Sequence, residues 1–522
     1  MNKKLMPVII ATLTLLVALN CHSIKPKPSV SVSGFENHTA QLISKIEQWK
    51  GKYPDLFKEY PQFEGLLKRT ERIEAMKILL SSRFWQEAIE IPVYLMIEIS
   101  KYPEGMTGTD KSVYDEVFRL FEREQDVIIK EIIKFLSDSD VILQDNATFI
   151  LKNLSLSSKT RQESIEEIIK LLSSSEAGIR KTAVEALRRL KAREAIPEIL
   201  KLSSDSDAGV RQTIVKSIWS LEIKEEIPKL IKFLSDSDAV VRKTAIEALW
   251  SLKVKEAIPQ MLNLLSDSDA VVRKTAIEAL WSLKVKEAIP QFLKLLSDSD
   301  AGVRKSTVSA LGNFQVKEAI PQILNLLSDS DATVRGSAVS VLGNLQATEA
   351  IPELLKLLAD SDAGVRMETV SAMGRLQAKE AIPGIIKLLS DSDTRIRVTS
   401  IYALGDLSAR GGSAEGTGEQ EERDIRQAKE VISEILKLLS DSDALVRAAA
   451  VYTIKDLDAK EAIPEILKLL SDSDAGVRVA SVHALGKLQA REAIPEIRKL
   501  LSDSDANVRE TATKTISELE TK

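Results

Sequence analysis

Reactive side chains are scarce in this chain. Its 522 residues hold one cysteine, Cys21, and three histidines, His22, His38 and His483. A metal site needs several His, Cys or carboxylate groups at ligand spacing. These histidines are followed by Ser23, Thr39 and Ala484, with no such cluster around them. Phosphate-binding glycine loops, the dinucleotide glycine motif and nucleophilic-triad motifs are missing as well. We therefore expect no catalytic, metal or cofactor-binding residues and read the chain as non-enzymatic. The abundant polar groups have a different use. The phrase Ser-Asp-Ser-Asp-Ala-x-Val-Arg recurs, with small variations, along most of the chain. An aspartate and an arginine kept together in every copy suit an ion-pair ladder tying each turn to the next, so the recurring arginine is read as structural.

The spacing of that phrase sets the architecture. Its arginines stand at Arg180, Arg211, Arg242, Arg273, Arg304, Arg335, Arg366 and Arg397, each 31 residues from the last, and the series resumes at Arg447, Arg478 and Arg509. A degenerate copy begins at Ser137-Asp138-Ser139-Asp140, with Gln144 in the arginine place, which makes twelve units. Residues Leu234–Gln260 and Leu265–Gln291 are identical, the mark of a tandem duplication. Fixed self-similarity at such a period signals stacked supersecondary units. Aromatic residues at 4% and charged residues at 29% fit small stacked helices better than one deep core.

Each unit reads as two helices. In the copy around Arg273 the first carries Ala257, Ile258, Met261, Leu262 and Leu265 on one stripe, with Pro259 in its first turn, where a missing N–H costs nothing. The Ser-Asp-Ser-Asp turn breaks it, and Asp269 is placed to cap a second helix that buries Val272, Ala276, Ile277, Ala279, Leu280 and Leu283. One unit cannot bury both stripes, so stability must come from nearest-neighbour stacking. Early Pro, Asp-rich turn and Val-Arg opening resemble a HEAT repeat. The period and the phrase Glu-Ala-Ile-Pro-Glu-Ile with Ala-Leu-Gly-x-Leu resemble the short variety named after phycobilin lyases. This resemblance, over roughly residues 131–522, implies an all-α fold: a right-handed α-solenoid of about twelve two-helix repeats with an N-terminal helical cap. The HEAT-like hydroxylases bind iron through His-Glu pairs, and this sequence contains none. A bilin-lyase-like or hydroxylase-like enzyme is the competing reading, and it requires a bound chromophore or metal.

The ends divide as follows. Residues 1–20 have a basic start and an apolar run from Leu5 to Leu19, the form of a secretory signal too short for a membrane span. Val17-Ala18-Leu19-Asn20-Cys21 resembles a bacterial lipobox, departing from it at Ala18 and Asn20. The resemblance implies lipidation of Cys21 and a place in the cell envelope; a plain cleaved signal is the alternative. Residues 21–36 have tether composition, 37–130 show helical patterning without the repeat phrase, 131–408 and 428–522 carry repeats, and 409–427, with Gly411, Gly412, Gly416 and Gly418, reads as a flexible insertion. A net charge of −5 provides no pull towards nucleic acid, which is excluded as a partner. The expected partners are a protein or peptide, and a membrane through the Cys21 anchor.

Candidate binding residues lie where the units disagree. On the second helix, places one, five and eight after the arginine fall outside the buried arc by helical rotation. The eighth place is mostly Gly but becomes Trp219, Trp250 and Trp281 in three successive units. With Lys243 and Lys274 one place after the arginine, these make a Trp–Lys strip. The fifth place becomes Tyr402, Tyr452 and His483 towards the C-terminus, a second patch. Tryptophans anchor protein interfaces, but a Trp in place of Gly could equally fill space between adjacent second helices.

Overall fold

The structure, a computed structural model, describes residues 45–62, 125–138, 141–154, 156–409 and 418–521. Cys21, the signal, the tether and most of 37–130 lie outside the described residues. Among the described residues the only regular elements are α- and 3-10 helices, arranged as repeats of an α-solenoid. The chain divides into two compact units, one ending at Val254 and one beginning at Lys255.

The repeat is built as its sequence predicts, with one refinement. The first helix of the copy around Arg273 is three joined pieces: a 3-10 turn Lys255–Ala257, an α-helix Ile258–Asn263 opened by Pro259, and a second 3-10 turn Leu264–Ser266. Tightening the last turn brings a backbone N–H to a carbonyl that an α-helix would leave bare, Asp267 N–H bonding Leu264 O at 3.2 Å. Ala257 and Met261 are fully buried. Asp269 then caps the second helix, Ala270–Ser282, its Oδ1 accepting from the amides of Val271 and Val272 at 2.9 and 3.0 Å. Val272, Ala276, Ile277, Ala279 and Leu280 are buried as expected, while Leu283 is half-buried at the helix end.

That end recurs from unit to unit. The chain reverses through one residue in the left-handed region, Lys284, Gln315, Gln346 and Gln377 among them, with φ between 54° and 60°. A left-handed residue with a side chain costs about 1–2 kcal/mol relative to its ordinary conformation. Part of that is offset locally. Val316 N–H bonds Leu311 O and Gln315 N–H bonds Gly312 O, which satisfies two bare carbonyls. The side-chain amides of Gln315, Gln346 and Gln377 also donate to the carbonyls of Gly312, Gly343 and Gly374, at 3.0, 3.1 and 2.7 Å.

Two departures from the regular stack matter for the surface. At the N-terminal side, residues 45–52 are helical and Lys45 Nζ meets Asp138 Oδ2 at 3.1 Å, supplying a cation where no preceding repeat arginine exists. In the C-terminal unit, the reading of 409–427 as a flexible loop is corrected for residues 418–427, while 410–417 lie outside the described residues. The preceding second helix runs to Ala409, and Gly418–Lys437 is one continuous helix of 20 residues. Its charged start, Glu419 to Arg426, consists largely of good helix formers, acidic residues foremost near the positive helix end. Ser433 replaces the repeat's proline, so nothing stops the first helix from extending backwards. Val431 and Ile435 are buried, and Lys379 Nζ pairs with Asp424 Oδ2 at 2.7 Å.

Candidate functional site

The recurring aspartates and arginines form the ladder. Arg304 donates from Nε and Nη2 to both carboxylate oxygens of Asp329, each at 2.7 Å, and from Nη1 to the carbonyls of Asp298 and Ser299 at 2.8 and 3.2 Å. One guanidinium thus joins the turn of its own repeat to the turn of the next. The two aspartates of each phrase divide the work: the first takes the preceding arginine and the second caps the helix, as Asp329 and Asp331 do. The same two-pronged pair recurs at Arg180–Asp205, Arg211–Asp236, Arg273–Asp298, Arg335–Asp360, Arg366–Asp391, Arg447–Asp472 and Arg478–Asp503. The Arg304 hydrogen bonds hold the Asp329 carboxyl below the usual carboxylate range, with the Asp331 amide adding to them against burial. Carboxylates held in this way are ill suited to moving protons.

The variants of the rung are instructive. Gln144 keeps the carbonyl bond, to Asp138 O at 2.7 Å, and replaces the ion pair by accepting from Thr182 Oγ1 at 2.6 Å. Across the insertion, Arg397 reaches Asp441 through Nη2 alone, at 3.0 Å. Its Nε and the buried hydroxyls of Ser400 and Thr453 have no partner among the described residues.

The eighth place after the arginine lies elsewhere than helical rotation predicts. It faces the next second helix. A Cβ on Gly312 would come within 2.6 Å of Val341 Cγ2, one on Gly405 within 2.7 Å of Thr453 Cγ2, and one on Gly486 within 2.7 Å of Thr515 Cγ2. In these three cases the opposing residue is six after its own arginine. A Cβ on Gly343 would meet Arg375 Nε at 3.0 Å and Ala372 Cβ at 3.1 Å, and one on Gly374 nothing within 4 Å. Where the eighth place is large, the sequence has a small residue opposite: Arg188 before Ser217, Trp219 before Ala248, Trp281 before Ala310, and Lys455 before Ala484. Large-against-small matching across a seam is packing. Trp219 and Trp281 are accordingly half in the seam, Trp219 half-buried and Trp281 39% exposed, so that each combines a packing edge with an open one. Trp250, near the end of its compact unit, is half-buried.

The lysines beside them are neutralised on their own helix. Lys243 Nζ lies 2.9 Å from Glu247 and Lys274 Nζ 3.9 Å from Glu278. The Trp–Lys strip therefore carries little net positive charge. Further along the C-terminal unit, Gly336 and Ser340 occupy the first and fifth places, and the missing side chains leave a shallow groove of about 370 Å³ flanked by Lys305, Asp362 and Glu368.

The structure brings the second patch together. Tyr402 is 48% exposed, and the rings of Tyr452 and His483 are 6.5 Å apart at 55°. Lys455 Nζ sits 5.3 Å over the Tyr452 ring, a cation–π contact that the sequence reading overlooked. Its signal was present, since Lys455 interrupts the Gly series at the eighth place. Burial raises the Tyr402 hydroxyl, with Tyr452 and Asp456 adding to it; burial and then Lys455 and Lys487 lower His483. Among the described residues no group of three or more His, Cys, Asp or Glu could hold a metal ion, and no helix is long and apolar enough to cross a membrane.

With this geometry in view, the comparisons with known proteins are informative. The family profile described as HEAT repeats matches residues 129–219, 227–306, 289–374, 351–417 and 432–517. None of the curated protein sequences is a significant match. Among solved structures, importin beta is similar with a TM-score of 0.57 at 13% identity, over 82% of this chain and 67% of that one. The karyopherin Kap121p bound to the extreme C-terminus of the protein phosphatase Cdc14p is similar with a TM-score of 0.53 at 15% identity, over 86% of this chain and 56% of that one. Kap121p bound to RanGTP gives 0.54 at 15% identity, over 93% and 57%. The chain thus spans a little over half the length of Kap121p, and at these identities the likeness is one of fold.

Proposed function

Because the chain belongs to the HEAT-repeat family, we propose that it is a non-enzymatic scaffold that binds a protein or peptide along the open face of its second helices. One observation carries this reading. Ladder and cap residues are kept from unit to unit, whereas the first and fifth places on the second helix change from Lys and Glu, through Gly and Ser, to Val, Tyr and His. A surface needed only for solubility has no use for exposed aromatics such as Tyr402 and Trp281. Kap121p, a solenoid of similar fold, is a protein-binding example through its Cdc14p and RanGTP complexes.

Replacing Trp219, Trp250 and Trp281 together by Ala is expected to abolish capture of an envelope protein partner while far-UV helicity is retained. Capture that survives at full yield would move the binding surface off these residues. A bound metal by elemental analysis, or a chromophore in the absorption spectrum, would instead favour the enzymatic reading.

The second part of the proposal is export and lipid anchoring through Cys21. It is supported by the basic start, the apolar run Leu5–Leu19 and the position of the only thiol at its end. A single lipid chain adds about 0.8 kcal/mol per buried CH₂, so losing the acylation site removes the membrane affinity. Cys21→Ser is therefore expected to shift the protein from the membrane pellet to the soluble envelope fraction. A variant that stays in the pellet would contradict the anchor.

A further inference from the structure

We propose that Tyr402, Tyr452 and His483 form the anchor of a site for an extended acidic peptide segment that carries one aromatic or large aliphatic side chain. This rests on the scaffold reading above and names the chemistry of its partner. The three residues occupy the same place on successive, mutually packed second helices, Thr394–Ala409, Ala444–Asp456 and Ala475–Lys487. In the other repeats of this unit that place holds Glu278, Ser309, Ser340, Ser371 and, in the last, Lys514. Here the first place also turns apolar, at Val398, Ala448 and Val479. Leu445, 69% exposed, lies on the same helix face as Ala448 and Tyr452 by its spacing of three and seven residues. The result is an aromatic and aliphatic surface facing solvent, next to second helices that hold Gly336, Ser340 and Ser371 at the first and fifth places.

Charge decides which peptide fits. The charged groups facing His483 are Lys455 on the preceding second helix, Lys487 on its own, and Lys514 and Glu518 on the following one. Lys455 also pairs with Asp456 at 2.9 Å. Cations outnumber anions at this end, while burial and those cations keep His483 neutral near pH 7. A carboxylate of the partner is drawn there, and an apolar side chain is drawn to the Tyr402 and Tyr452 rings. Packed helices lie about 8–10 Å apart and an extended chain advances about 3.3–3.6 Å per residue. About three peptide residues therefore span each helix, and the acidic residue follows or precedes the apolar anchor by roughly three to six.

The test uses the full chain and a fluorescein-labelled Gly-Ser nonapeptide with one Phe and, three residues away in either order, two Glu, followed by fluorescence anisotropy. Saturable binding is expected, lost on changing the peptide's Phe to Ser and on changing its Glu residues to Lys. On the protein, Tyr402→Ala with Tyr452→Ala is expected to weaken binding at least about tenfold, and Lys487→Glu with Lys514→Glu to weaken it and remove its salt dependence. Tyr402→Phe with Tyr452→Phe, which keeps the rings, should bind as the parent does. Absence of saturation up to about 1 mM, equal binding of the charge-reversed peptide, or indifference to the tyrosine pair would overturn the proposal. So would a dimer by sedimentation that the tyrosine pair dissolves, since the patch would then be covered by a second copy. If the tyrosine variant still captures the partner that the tryptophan variant loses, this inference fails while the scaffold reading stands.

Discussion

Arg304→Ala is expected to lower the stability of its unit by about 2–4 kcal/mol, one of the largest effects available to a single substitution in this fold. The side chains of Arg304 and Asp329 are only 13% and 7% exposed. Removing the guanidinium leaves the Asp329 carboxylate without its ion-pair partner and the carbonyls of Asp298 and Ser299 without their side-chain donor. Arg304→Lys should recover little, because a point ammonium cannot serve a carboxylate and two carbonyls in the planes these occupy. In a linear stack the loss falls on one interface, so the urea transition should broaden or split rather than simply move. A single transition at the parent midpoint would show that the ladder is decorative. Acid has the same target. Asp205, Asp329 and Asp503 are held below the usual carboxylate range chiefly by the hydrogen bonds of Arg180, Arg304 and Arg478. Stability from a lowered carboxylate is complete above its unfolded value of about 3.9 and is lost as pH falls through the lower folded value. The protein should therefore be insensitive to pH down to about 5 and then unfold cooperatively as the rungs protonate together.

Gly312→Ala is expected to change sign with the residue opposite it. In the parent the new Cβ would lie 2.6 and 2.8 Å from the two Val341 methyl carbons, and these sit on a fixed helix seam. Overpacking of this kind costs about 1–3 kcal/mol, against a helix-propensity gain of about 1 kcal/mol for replacing Gly by Ala. A net loss follows. In a Val341→Ala background, the arrangement the chain itself uses opposite Trp281 at Ala310, the clash is gone and the same substitution should stabilise. Gly374→Ala is the control, because nothing lies within 4 Å of its Cβ and only the propensity gain remains. A double-mutant cycle by urea denaturation measures the coupling. Additivity between Gly312 and Val341 would refute the large-against-small account of the seam, and with it the packing half of the tryptophans' role.

The seam also shows where reading residues one helix at a time goes astray. Rotation about a single second helix puts the eighth place on the outer arc, yet Gly312, Gly343 and Gly405 are buried because the neighbouring second helix covers them. The compensating information was in the sequence, in the residue six after the next arginine, but only the packed geometry shows which two rows to compare. Lys243 and Lys274 are a similar case: each looked like part of a cationic strip and is instead neutralised by a glutamate one turn along. The insertion failed for another reason. Four glycines suggested a loop, and the helix-forming run after them, free of the usual proline, was grouped with the glycines.

The period, the two-helix unit, the proline start, the aspartate cap and the Asp–Arg pairing were all decided by the sequence itself. Each depends on residues within a turn or two of one another, or on a phrase repeated so often that its role cannot be local accident. The tertiary structure alone decided that the first aspartate of each phrase answers the arginine of the unit before it, that the eighth place is a seam, and that Lys455 joins Tyr452 and His483 in one patch. The physical reason is the same in all three. These contacts are set by how far apart and at what angle neighbouring helices settle, and that depends on the summed volumes of two faces rather than on the pattern of either one.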